Sequence, residues 1–180
     1  GVLGGGRGSA WEFDPHPDIP LQMGTLSKAA GVYGAFLCAS APVIDLMKNR
    51  ARSLVFTTGL PPSVIASCIA AVDIIATDAD RVAQPLNRAK DFCHAVGLPV
   101  PESSIVPLVV GAEQAAIDAS VALEDAGFLV TPIRPPTVPA GTSRLRFTFT
   151  AEHTPAQVSA LAAAVNALSL TTAGAQVVGG

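Results

Sequence analysis

Charge is scarce in this chain. Asp, Glu, Lys and Arg make up 14% of its 180 residues, against about a quarter in ordinary soluble domains, while the apolar share of 49% is ordinary. A deficit of charge without a surplus of apolar residues points to large surfaces that face protein rather than water, as at subunit or domain interfaces. Basic residues are not in excess, and a net charge of −3 leaves no basic face for a phosphate backbone, which argues against nucleic acid as a partner. Cysteine is sparse too: Cys38, Cys68 and Cys93 stand far apart, with no Cys-x-x-Cys and no histidine pair at metal-ligand spacing. Buried free thiols in a reducing compartment are expected, with no metal, and the adjacent Cys93-His94 pair is expected to be neither ligand nor nucleophile. No signal-peptide pattern opens the chain. Residues 53–72 run for twenty positions without a charge, yet Gly59-Leu60-Pro61-Pro62 interrupts them, so they read as strand, turn and helix start rather than as a membrane span.

What is present centres on Lys28, in Gly24-Thr25-Leu26-Ser27-Lys28-Ala29-Ala30-Gly31-Val32-Tyr33-Gly34, among small residues between two apolar runs. A lone lysine is by default a surface residue. A primary amine held in a tight, partly desolvated turn, however, has its charged form disfavoured and its nucleophilicity raised, as imine formation with an aldehyde cofactor requires. Thr25, three positions earlier, places a hydroxyl on the same turn.

A second segment adds to this: Ile133-Arg134-Pro135-Pro136-Thr137-Val138-Pro139-Ala140-Gly141-Thr142-Ser143-Arg144-Leu145-Arg146-Phe147. With the glycine-rich start at Gly1 to Ser9, the Gly-Thr-x-x-Lys around Lys28 and Phe56-Thr57-Thr58-Gly59-Leu60-Pro61-Pro62, it resembles the α-oxoamine synthases, pyridoxal-phosphate enzymes of the fold type I aminotransferase superfamily. The likeness runs in order over roughly residues 1–168 and corresponds to the later half of such an enzyme. The family's Asp-x-Ala-His motif, whose aspartate pairs with the pyridine nitrogen, is absent, so a truncated chain, inactive alone, is expected.

The resemblance implies pyridoxal 5'-phosphate bound by Lys28, with Thr25 at its phosphate and Thr57 and Thr58 reaching a phosphate across a homodimer interface. It implies Arg146 as the amino-acid carboxylate ligand and Thr137 on the acyl side. The Arg134-Pro135-Pro136-Thr137 run favours the branch that joins L-alanine to a pimeloyl thioester, in the cytoplasm. The alternatives are a sister synthase with another amino acid or acyl thioester, and a non-catalytic dimerisation fragment.

Local patterning fits an α/β chain: residues 1–60 as the tail end of the large cofactor domain, 61–170 as a small C-terminal α/β domain with helices on one side of a sheet, and 171–180 as a flexible tail. The glycines of residues 1–9 demand unusual backbone angles. Strands are expected at 21–23, 32–38, 54–57, 105–110, 128–133 and 145–149. Helices are expected at 42–52, from Pro61-Pro62 through 76 and, after a break at Pro85, on to 96, then at 113–126 with Gly127 as its stop. Thr154-Pro155-Ala156-Gln157 reads as a capping box opening a last helix, with Val158, Leu161, Ala162, Val165 and Leu168 on one face. Alternation in 145–149 turns Arg146 away from Leu145 and Phe147, whereas Arg144, on the same face as Arg146, is expected in a surface ion pair.

Overall fold

The computed structural model describes residues 1–168 and 170; the tail expected at 171–180 lies outside the described residues. The chain is α/β and divides into two compact units, Gly1–Val82 and a second starting at Ala83.

In the first unit, the glycine-rich start forms two short 3-10 turns, Gly4–Gly6 and Ser9–Glu12, and closes on helix α3 (Pro62–Thr77): a methyl group on Gly6 would sit 3.0 Å from Ile75 Cγ2. Strands β1 (Gln22–Thr25) and β2 (Ala35–Cys38) form an antiparallel hairpin in which Gly24 faces Phe36. The phenyl ring lies over Gly24 so closely that any Cβ there would overlap it. Helix α1 (Ala41–Arg50) follows, then a single helical turn, α2 (Arg52–Val55), where a strand is expected. The amides of Leu54 and Val55 donate to the Ala51 carbonyl and that of Phe56 to Arg52. Residues 54–57 pair with neither sheet, so their backbone groups are satisfied within the turn.

The long helical stretch breaks at Asp78, not at Pro85. Asp78 has φ −111° and ψ 77°, and its carboxylate accepts from the Arg81 amide at 2.9 Å, opening α4 (Ala79–Val96). Such a side-chain cap restarts a helix at once, and Pro85 is carried, buried, inside α4. No single helix among the described residues is long and apolar enough to cross a membrane.

The second unit holds a three-stranded antiparallel sheet in the order β3 (Ile105–Gly111), β5 (Ser143–Thr148), β4 (Thr131–Ile133), with helices α5 (Glu113–Asp125) and α6 (Pro155–Ala167). Val106 and Leu108 of β3 and Leu145 and Phe147 of β5 share one core with the buried sides of α4, α5 and α6. At its centre Phe92, fully buried, meets Phe147 at 4.6 Å and Phe149 at 5.3 Å between ring centroids. The ends of α5 follow local chemistry. Past its C-terminus Gly127 adopts φ +91°, and the Phe128 and Gly127 amides return to the Leu123 and Glu124 carbonyls. That closure uses up Phe128, so β4 is shorter than expected. Thr154 and Gln157 form the expected capping box of α6. Two thiols are buried, but Cys38 is exposed, because β2 has no covered face.

Candidate active site

Lys28 lies on the connection between β1 and β2. Antiparallel pairing brings Thr25 opposite Ala35, and the loop is tied across by Leu26 N–H to Gly34 O and Val32 N–H to Leu26 O, both 2.9 Å. Within it the Gly31 amide donates to the Lys28 carbonyl at 2.9 Å, with Gly31 at φ +65°, a left-handed position that a side chain would strain. These bonds take up residues 31–34, which is why β2 starts at Ala35 rather than at 32.

At the loop tip Lys28 Nζ donates to Thr25 Oγ1 at 3.4 Å, so the amine and the hydroxyl three positions earlier share one turn. The partial desolvation expected of Lys28 is not supplied by these residues: its side chain is exposed, since the flanking Ser27, Ala29 and Gly31 are too small to cover it. Thr57 and Thr58 are also exposed. Two residues on, Leu60 meets the lysine loop, its Cδ1 3.2 Å from where a Gly34 Cβ would stand. The fold thus brings the segment carrying both threonines against the hairpin carrying Lys28.

In the second unit, Arg146 projects from the uncovered face of β5, exposed, while Leu145 and Phe147 point into the core. Arg144 shares the Arg146 face but forms no ion pair among the described residues. Its guanidinium donates to Thr142, Nε to the carbonyl at 3.1 Å and NH2 to Oγ1 at 3.3 Å. Thr137 is exposed on the loop joining β4 to β5, its amide bonded to the Arg134 carbonyl at 3.0 Å. Pattern reading missed Glu113, whose Oε1 accepts from Arg134 NH1 at 2.7 Å. Its signal was an acid in the first turn of a helix, which local patterning assigns to the helix dipole rather than to a distant partner.

Cys93 is 2% exposed, and burial pushes its thiol up to about 11. It stays protonated at neutral pH and packs as a small apolar group. Among the described residues no group of three or more His, Cys, Asp or Glu could hold a metal ion.

An amine beside a hydroxyl on a tight turn is a donor set suited to pyridoxal phosphate: the amine meets an aldehyde and the hydroxyl donates to phosphate oxygens. The family model for class I and II aminotransferases matches residues 4–165. Among curated relatives, 8-amino-7-oxononanoate synthase of Methylocella silvestris is 58% identical over 92% of this chain, which spans 47% of that protein. Serine palmitoyltransferase of Sphingomonas wittichii superposes with a TM-score of 0.82 at 26% identity, covering 92% of this chain and 43% of that one. A structure described as SPT with PLP gives a TM-score of 0.82 at 30% identity, covering 93% of this chain and 46% of that one.

Proposed function

The chain belongs to the class I and II aminotransferase family, and on that premise we propose that its residues serve an 8-amino-7-oxononanoate synthase. In that reaction L-alanine condenses with a pimeloyl thioester, carried on coenzyme A or a carrier protein. The thiol and carbon dioxide leave, and the product feeds biotin synthesis. The observation that carries this reading is the Lys28–Thr25 pair at 3.4 Å on a hairpin turn, in a chain 58% identical to a protein of that name.

Lys28 and Thr25, with Thr57 and Thr58, are the groups to hold pyridoxal phosphate. When bound, the cofactor supplies an electron sink for negative charge at the alanine α-carbon. The Lys28 amine takes the α-proton, a transfer that needs a base at hydrogen-bond reach of that carbon. Arg146 grips the alanine carboxylate through its planar two-donor fork, and Thr137 donates to the acyl partner. The chain spans about half the length of its curated relatives and has no Asp-x-Ala-His segment, so by itself it is proposed to be inactive. The working form is proposed to be a cytoplasmic homodimer, in keeping with the apolar surface of the first unit.

The test is amino-acid selection by an enzyme of full relative length that contains these residues. With pimeloyl-coenzyme A, L-alanine should be turned over in preference to glycine and L-serine. Preference for glycine or serine would reassign the chain to a sister synthase.

A further inference from the structure

The loop that presents Thr137 is fastened at both ends by side chains that the reaction itself does not call for. At its start Arg134 NH1 bonds Glu113 Oε1 at 2.7 Å, tying the end of β4 to the first turn of α5. The Arg134 carbonyl in turn receives the Thr137 amide at 3.0 Å. At its finish Thr142 Oγ1 donates to the Pro139 carbonyl at 2.8 Å, and Arg144 donates to Thr142. Pro135, Pro136 and Pro139 restrict the backbone between the two anchors. A cation at the entrance of an acyl-binding loop could serve a different purpose, as a receptor for an anionic acyl tail. Arg134 is the weaker candidate for it, since its NH1 already donates to a carboxylate of the chain's own.

From this geometry we infer that Glu113 and Arg134 are a positioning pair for the acyl side: together they set the loop that presents Thr137, and Arg134 does not act as the anion receptor. The inference rests on the proposed role of Thr137. Both partners are about half-exposed, so the effect is modest, in the range of an exposed ion pair.

The test is steady-state kinetics of Glu113→Ala, of Thr137→Ala and of the exchanged pair Glu113→Arg with Arg134→Glu, in an enzyme of full relative length. Glu113→Ala should raise the thioester KM about two- to five-fold, leave the alanine KM unmoved, and be largely reversed by the exchanged pair. Hydrogen exchange in the 180-residue chain supplies a readout without turnover: Thr137 amide protection should fall in Glu113→Ala and return in the exchanged pair. A lower thioester KM in Glu113→Ala would mean that Arg134, once released, captures the anion, and would overturn the inference. A thioester KM unchanged in Glu113→Ala but raised in Thr137→Ala would overturn it while leaving the proposed function standing. If Thr137→Ala itself leaves the thioester KM unchanged, the acyl-side reading fails and the inference with it.

Discussion

Arg146 shows how one strand turns one face to a core and the other to a proposed site. Its neighbours Leu145 and Phe147 are 0% and 2% exposed while Arg146 faces outward, so truncating it leaves the core intact and tests the proposed substrate role alone. In a full-length enzyme Arg146→Ala should raise the alanine requirement by roughly 1.5 to 3 kcal/mol, the range for hydrogen bonds to a charged group, with the thioester requirement little changed. Arg146→Lys should recover little, because an ammonium lacks the planar fork. Steady-state kinetics in both substrates check this, and a shift confined to the thioester would reverse the assignment. Cys93 makes the opposite case, a residue that matters only to the core. Burial raises its thiol from 9.0 to about 11, so the unfolded chain loses that proton first. The stability this group contributes is therefore intact below pH 9 and is lost as pH rises toward 11, by up to about 3 kcal/mol. Thermal denaturation of the chain and of Cys93→Ala across pH 8 to 11 should show the steeper decline in the chain with the thiol. Parallel curves would contradict it.

Elements were legible where one local rule acts without competition. Alternation in β5, the capping box at Thr154 and the stop at Gly127 each depend on residues within a turn or a strand. The misread elements depended on choices between signals. Pro85 is the stronger helix breaker on propensity, yet the break falls at Asp78, whose carboxylate caps the Arg81 amide, while Pro85 is buried within α4. Residues 54–57 have strand composition but pair with no strand among the described residues, and they coil instead. Asp78→Ala should cost about 1 kcal/mol, the usual value of an N-cap side chain, and Asp78→Asn much less, because asparagine caps comparably well. Denaturant unfolding measures this, and equal losses in the two variants would remove the capping role. The geometry of the candidate site was legible to the same extent: the Thr25–Lys28 turn is local, whereas the Glu113–Arg134 bond spans 21 positions that no periodicity connects.

Across the whole molecule, apolar residues are distributed unequally. Among the described residues, sixteen of the twenty large hydrophobic side chains left exposed belong to the first unit, whose buried hydrophobic residues are Cys68 and Val82, while the contiguous core lies in the second. Amide exchange should therefore be slowest in β3, β5 and α5 and fast through residues 1–60, since local stability follows buried apolar contact; uniform protection would contradict that division. The role proposed for Lys28 needs more than these residues, so its decisive test belongs to an enzyme of full relative length supplied with pyridoxal phosphate, L-alanine and pimeloyl-coenzyme A. Thiol release is measured for the parent enzyme and for Lys28→Ala. The account predicts that the substitution lowers turnover by at least about 10²-fold, the lower bound for losing a general base alone. A variant that keeps more than about a tenth of the parent rate, well short of that loss, would take Lys28 out of the mechanism.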